Sequence, residues 1–379
     1  MRLNLKSTFL RNLSNIPGWR TDRKIIIFES DDWGSIRIPS NSSREKLIEK
    51  DVIQKANISH YNQFDSLESN EDLNNLFEIL TGFKDNYGNH PVFTAINIIA
   101  NPDFDRIKQS EFQNYYFEPF TDTLKKYPKH DKVLDLWKEG AAKNLFVPQF
   151  HGREHLNVNA WLKALKENRP KTRIAFDYGI CGIDGVSLGE SKIPYQAAFD
   201  IEQPNELDYL NNVIKDGTSL FQELVGYEAT YFVPTNGPFN LNLEKTLHDN
   251  GIKYIMLDKL QKEPLGNGQY RTHFRYLGKH NKLSQVYMSR NAAFEPSAGG
   301  KNWINSCISD ISIAFRWNKP ATISTHRVNY IGFLDPANRS RSLKLLKELI
   351  SIILKLWPDV EFMTSDKLGD LISTQNEKL

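Results

Sequence analysis

Short apolar runs that alternate with amphipathic helical segments constrain the fold of this chain most strongly. The clearest run is 24–28, where Ile25, Ile26 and Ile27 are consecutive, a pattern typical of a strand buried on both faces. Six further strands are predicted at 92–99, 146–150, 229–233, 252–257, 321–324 and 360–363. Strands that alternate with helices indicate a parallel sheet in an α/β fold.

The segments between these strands have apolar residues at helical spacing. Helices are predicted at 43–50, 71–80, 134–137, 159–167, 204–225, 241–250 and 341–356. The segments 103–140 and 260–300 have no clear strand pattern, and we interpret them as insertions. The predicted organisation is one large domain with an N-terminal helical extension and a C-terminal tail, at 23–370, 1–22 and 371–379 respectively.

Composition and charge exclude several classes of protein. The chain has 379 residues, 40% of them hydrophobic, which is enough for a large core. Its 48 basic and 46 acidic residues nearly cancel, so no general field favours nucleic acid as a partner. Its two cysteines, Cys181 and Cys307, stand in no metal or redox motif.

No stretch reaches the roughly 20 apolar residues that span a bilayer, and no export signal precedes the first strand. We therefore predict a cytoplasmic protein without a transmembrane segment. The first residues also fit a basic amphipathic helix, with Leu3, Leu5, Phe9, Leu10 and Leu13 on one side. This helix either packs on its own domain or rests on a membrane surface. The oligomeric state is not determined by the sequence.

Two adjacent carboxylates, Asp31 and Asp32, follow the first strand directly. Burying such charges costs several kcal/mol per ion unless a cation or a donor compensates them. One carboxylate could bind a metal while the other faces a water molecule beside the substrate. A turn or a helix cap is the alternative, because aspartate is common in both.

His151 and His155 are four residues apart, a spacing that can place two imidazoles on one ion. Two histidines and one aspartate leave coordination positions open, as in catalytic rather than structural metal sites. Zinc and other first-row divalent ions fit this ligand set. Surface histidines without a role remain the alternative.

His326 follows another predicted strand, 321–324. A histidine at such a place is more often structural, but the carboxyl ends of barrel strands form one catalytic rim. There His326 would meet the aspartates, and its imidazole could protonate a leaving amine.

Taken in order, these segments resemble the polysaccharide deacetylase family, carbohydrate esterase family four. The segment 26–33 is similar to the family's aspartate-pair motif, and 151–155 to its His-x-x-x-His motif. The segment 232–237 is similar to its third motif and 323–326 to its last. The resemblance spans about 23–370 and implies a distorted (β/α) barrel with seven strands, in a divergent subgroup.

The resemblance also implies roles for individual residues. Asp31 would be the general base and His326 the general acid. Asp32, His151 and His155 would bind a divalent metal, with Zn²⁺ expected first.

The third motif departs from the family pattern, because Val233 stands where the family has an arginine that orients the catalytic aspartate. We hypothesise that Arg153 or Arg327 supplies this guanidinium from another strand. Asn236 replaces the aromatic residue of the same motif, and main-chain N–H groups near it are expected to stabilise an oxyanion.

Further residues are predicted to contact the substrate. Trp33 and Phe239 adjoin the motifs and could stack on sugar rings, although either is as readily explained as core. Arg290 would suit a phosphate or uronate group, and a plain surface loop explains it as well.

The predicted function is removal of an acetyl group from an N-acetylated sugar, free or linked to a lipid or nucleotide. Two alternatives stay open: a carbohydrate-binding relative without catalysis, and another metal-dependent glycoside or ester hydrolase.

Overall fold

Thirteen strands are present within residues 5–376, the part of the chain that the computed structural model describes. They are β1 (Lys24–Trp33), β2 (Phe93–Ile98), β3 (Ala100–Pro102), β4 (Phe117–Pro119), β5 (Phe146–Gly152), β6 (Tyr231–Phe232), β7 (Tyr254–Met256), β8 (Leu260–Gly266), β9 (Gln269–Phe274), β10 (Val286–Met288), β11 (Ala292–Ala293), β12 (Ala321–His326) and β13 (Val360–Phe362).

The helices surround the main sheet and connect its strands. They are α1 (Leu5–Ser14), α2 (Asn41–Glu49), α3 (His60–Phe64), α4 (Asn70–Thr81), α5 (Phe104–Gln109), α6 (Phe120–Lys125), α7 (Val133–Ala142), α8 (Val158–Lys166), α9 (Pro170–Asp177), α10 (Glu206–Val225), α11 (Glu244–Asp249), α12 (Trp303–Arg316), α13 (Pro336–Leu356) and α14 (Ser365–Asn376).

The main sheet is parallel throughout, and eight of its strands follow one path in the order β10-β7-β6-β5-β2-β1-β12-β11. The two end strands, β10 and β11, are separated by three residues, 289–291. Such a link reaches roughly 14 Å at most, whereas eight flat strands would span roughly 34 Å. The sheet must therefore curl until its edges approach, which gives the predicted distorted (β/α) barrel in a single domain.

Alternate residues of β1 face the two sides of this barrel wall. Ile26 and Phe28 pack against the outer helices, whereas Ile25 and Ile27 belong to the cluster that fills the barrel interior. Since both sides are buried, the strand needs a continuous apolar run, which explains the pattern seen in the sequence. The same alternation carries residues 29 and 31 to the interior side.

The seven strands predicted from the sequence are all present. The last of them, β13, pairs only with the start of β1, and the short strands β10 and β11 were not predicted. Both lie within 260–300, so this segment is only partly an excursion from the barrel. The excursion itself is the antiparallel hairpin of β8 and β9. The segment 103–140 includes α7, which leads directly into β5.

The helix predicted near the N-terminus is present as α1, and it leaves Phe9, Leu10 and Leu13 exposed. Leu3 and the side chain of Leu5 lie outside the described part of the chain. The expected tail at 371–379 continues α14 as far as Asn376, and 377–379 are outside the description. None of the helices within 5–376 is both long enough and apolar enough to cross a membrane.

Candidate metal and catalytic site

The carboxyl ends of the barrel strands bring the predicted polar residues into one cleft. Its volume is about 530 Å³, and the five predicted catalytic and metal-binding residues line it. They are Asp31, Asp32, His151, His155 and His326. Asp31 of β1 is in register with His326 of β12, so parallel pairing alone makes them neighbours.

A bulge in β1 turns both aspartates toward the cleft. The register between β1 and β2 shifts between Ser30 and Trp33, and Asp32 adopts a φ of 78°. A left-handed conformation is uncommon for a residue other than glycine and marks a locally constrained backbone. Without the bulge, adjacent side chains of a strand would point to opposite faces.

Asp32 lies between two imidazoles in a geometry that fits a metal ion. Its Oδ1 is 3.5 Å from Nε2 of His151 and 3.2 Å from Nε2 of His155. Ligand atoms about 2.0–2.1 Å from a tetrahedral zinc stand about 3.3–3.4 Å apart, so these separations match a shared ion. One ligand atom from each residue lies within 4.8 Å of the other two.

The surroundings of the histidines support the same interpretation. Nδ1 of His151 donates a hydrogen bond of 2.7 Å to the carbonyl of Val233, which leaves Nε2 as the free lone pair toward Asp32. Burial lowers the pKa of His155 and so favours the neutral imidazole that a cation requires. These three residues could therefore hold a divalent metal, whose identity the donor set does not fix.

Asp31 is held by Arg290, a residue of the link between β10 and β11. Nη2 and Nη1 of Arg290 donate to Oδ1 and Oδ2 of Asp31 at 2.6 and 2.7 Å. Burial raises the pKa of Asp31, but the charge and hydrogen bonds of Arg290 outweigh it, and the pKa lies below its usual value. Asp31 is therefore ionised at neutral pH and has a fixed orientation.

The same guanidinium is anchored from below by Glu29, which was not identified from the sequence. Nε of Arg290 donates to Oε1 of Glu29, and Oε2 accepts hydrogen bonds from Tyr231 at 2.7 Å and Ser365 at 2.6 Å. Glu29 is fully buried. Glu29 lies two residues before Asp31 on the same face of an apolar strand, and this position could have indicated from the sequence that it supports the site.

His326 is paired with Glu295, a second residue that was missed as a partner. Its Nδ1 lies 2.5 Å from Oε1 of Glu295, and its Nε2 lies 3.8 Å from Oδ2 of Asp31. Burial by itself lowers the pKa of His326, but Glu295, with smaller contributions from Asp32 and Asp31, raises it to about 10. His326 is therefore protonated at neutral pH, with Nε2 directed toward the carboxylate of Asp31.

The hypothesis that Arg153 or Arg327 orients Asp31 is wrong. Arg153 is paired with Glu154 at 2.7 Å, and Arg327 donates to Asp65 at 2.8 Å. Both arginines are buried outside the cleft, so neither can orient Asp31 or bind a substrate there.

The two aromatic residues predicted to stack on sugars do not reach the cleft either. Trp33 and Phe239 are fully buried, and each packs within a hydrophobic cluster. Apolar packing thus accounts for both. Asn236 does line the cleft, in a turn where its φ is 58°. Arg290 lines the cleft too, but its guanidinium is already used by Asp31 and Glu29.

Comparison with known proteins gives likeness of structure without likeness of sequence. No family model and no curated protein matches the chain. A 4-alpha-glucanotransferase from Thermococcus litoralis is 11% identical with a TM-score of 0.43, covering 91% of this chain but 40% of the transferase. The chain thus spans about two fifths of that enzyme's length.

Two other solved structures match over nearly their whole length. A protein assigned as a polysaccharide deacetylase from Mycobacterium smegmatis is 11% identical with a TM-score of 0.43, over 95% of this chain and 94% of its own. An allantoinase is 10% identical with a TM-score of 0.45, over 93% of each chain. Such distant likenesses assign no activity to this chain, which must be inferred from its own site.

Proposed function

We propose that this protein is a metal-dependent hydrolase that removes the acetyl group from an N-acetylated sugar. The observation that carries the proposal is the different environment of two adjacent carboxylates. Asp32 lies within 3.5 Å of two imidazole nitrogens, whereas Asp31 is fixed by Arg290 and lies 3.8 Å from His326. A cation site, a base and an acid thus share one cleft.

A divalent ion held by Asp32, His151 and His155 would polarise the amide carbonyl and make a water molecule more acidic. Asp31 would accept a proton from the attacking water, because Arg290 keeps its carboxylate ionised. His326 would donate a proton from Nε2 to the leaving nitrogen, because Glu295 keeps the imidazole charged. Hydrolysis of one acetamido group by one water molecule then gives acetate and a sugar with a free amine.

The cleft favours this reaction over simple sugar binding. The missing arginine of the third motif would be consistent with an inactive relative, but Arg290 supplies a guanidinium to Asp31 from the link between β10 and β11. A binding protein needs neither an oriented base nor a charged acid. The substrate would be a carbohydrate with an N-acetyl group, free or carried on a lipid or nucleotide.

The test is release of acetate and free amine from a panel of N-acetylated mono- and oligosaccharides. We expect Asp31→Asn to lower kcat by about 10²–10⁴-fold, the usual contribution of a general base. Asp135→Asn, an exposed aspartate of α7, is the matched control. New reducing ends without acetate would favour a glycoside hydrolase, and sugar binding without any product would favour an inactive relative.

A further inference from the structure

A second guanidinium lines the cleft and is only partly used by the protein. Arg37 lies between β1 and α2 and lines the cleft together with Asp32 and His155. Its side chain is 14% exposed, and its Cζ lies 4.9 Å from the centre of the Tyr61 ring. Nη2 donates a hydrogen bond of 2.7 Å to Gln196. These contacts hold the head group against the cleft wall.

Arg37 keeps donors beyond these contacts, although its Nε is paired with a carboxylate. Oδ2 of Asp65 lies 3.5 Å from Nε of Arg37, while Oδ1 of Asp65 accepts from Nε and Nη2 of Arg327 at 3.2 and 2.8 Å. Within residues 5–376, Nη1 of Arg37 makes no hydrogen bond to the protein. A guanidinium has five N–H donors in a fixed fork, which suits bidentate binding of a carboxylate or phosphate.

Arg37 also lies close to the reactive groups. The ring of Tyr61, which Arg37 covers, makes an edge-on contact with the imidazole of His326 at 5.4 Å between ring centres. Tyr61 lines the same cleft. Arg37 and His326 thus contact the same aromatic ring, so a group bound by Arg37 would lie near the proposed general acid.

We propose that Arg37 forms an anion subsite and that the preferred substrates are N-acetylated sugars carrying a carboxylate or phosphate. This inference rests on the proposed deacetylase function for its reaction and on Arg37, Tyr61 and Gln196 for its specificity. Arg290, to which the sequence assigned this anion, is fully engaged by Asp31 and Glu29.

Three sugars with the same ring and acetamido group provide the test: N-acetylglucosamine, N-acetylglucosaminuronic acid and N-acetylglucosamine 6-phosphate. We expect kcat/KM for one of the acidic sugars to exceed that for the neutral sugar by about tenfold or more, the range of a charge-assisted hydrogen bond. Arg37→Gln should reduce this ratio to about one. The two acidic sugars distinguish carboxylate from phosphate.

Arg106→Gln is the matched control, because Arg106 covers the ring of Tyr116 at 4.2 Å but is exposed and outside the cleft. This variant should keep the wild-type ratio. A wild-type ratio near one, or equal losses on all three sugars in Arg37→Gln with the ratio intact, would overturn the subsite. Equal losses would mean that Arg37 only balances the charge of Asp65.

Binding separates this inference from the proposed function. Calorimetry of the three sugars with Asp31→Asn, alone and combined with Arg37→Gln, needs no turnover. If Asp31→Asn binds an acidic sugar more tightly than the neutral one and the added Arg37→Gln abolishes this preference, the subsite is supported. This conclusion holds even if the wild type releases no acetate, a result that would reject only the proposed function. Equal binding of all three sugars, or no binding of any, rejects the subsite even if acetate is released.

Discussion

Asp31 and Asp32 are neighbours in the chain, but their carboxylates meet different partners. Asp31 is bound by a guanidinium, and Asp32 faces two imidazoles. The family resemblance implied different roles for the two residues, although both belong to the same aspartate-pair motif. The sequence did not predict Arg290, Glu29 or Glu295 as partners, since the contacts of a long side chain depend on where distant strands meet.

Glu295→Gln tests the pairing that keeps His326 charged. Removing the carboxylate should lower the pKa of His326 from about 10 toward its ordinary value, so that the acid is lost at a lower pH. The alkaline limb of the kcat/KM profile should therefore move by at least about one pH unit to lower pH, whereas Glu295→Asp should keep most of the wild-type profile. Identical alkaline limbs in all three proteins would refute the pairing.

The same shift has a consequence for stability. Because the folded state raises the pKa of His326, its charged form stabilises the fold at every pH below about 6.5, and this contribution is lost as the pH rises through about 10. The pH dependence of unfolding should be weaker in Glu295→Gln over this interval.

Glu29→Gln tests the support beneath Arg290. Because Glu29 is fully buried and accepts three hydrogen bonds, the variant should lose about 3–5 kcal/mol of stability and should also lose activity as Asp31 becomes mobile. Glu361→Gln breaks a Glu–Arg pair whose arginine, Arg23, is 44% exposed, and it should cost about 1 kcal/mol or less. Equal losses in denaturant titrations of the two variants would show that Glu29 has no special role.

Among the elements, β1 is the one that positions the site, and Gly34 follows its last residue. Gly34 has a φ of 83°, and a Cβ there would lie 2.2 Å from the carbonyl oxygen of Ile98. Only glycine allows β1 and its bulge to pass so close to β2. The sequence located β1 and its polar end, but a bulge leaves no periodic signal, so the direction of Asp32 was not predictable.

Gly34→Ala should therefore be strongly destabilising, by more than about 2 kcal/mol, because it combines a steric clash with a left-handed backbone. Gly88→Ala is the matched control, since Gly88 has a φ of 85° but no atom within 4 Å of the added Cβ. Its cost should be about 1–2 kcal/mol, from the backbone alone. A melting temperature equally lowered in both variants would contradict the account of Gly34.

At the scale of the whole molecule, closure of the sheet assembles the site. The three residues between β10 and β11 bring the two edges together, and Arg290 lies among them. The sequence predicted the parallel sheet and its polar rim from seven strands. It did not predict β10 and β11, which lie in the segment 260–300 that was interpreted as an insertion, and for that reason it could not predict which arginine reaches Asp31.

The convergence of Asp32, His151 and His155 on one cation is the central claim, and metal content tests it most directly. Purified wild-type protein, equilibrated with a divalent metal and dialysed, should retain one ion per chain by elemental analysis. Asp32→Ala should retain essentially none, and Asp135→Asn should retain the wild-type content. Wild-type protein without bound metal, or equal metal content in Asp32→Ala, would contradict the site and the hydrolase proposed from it.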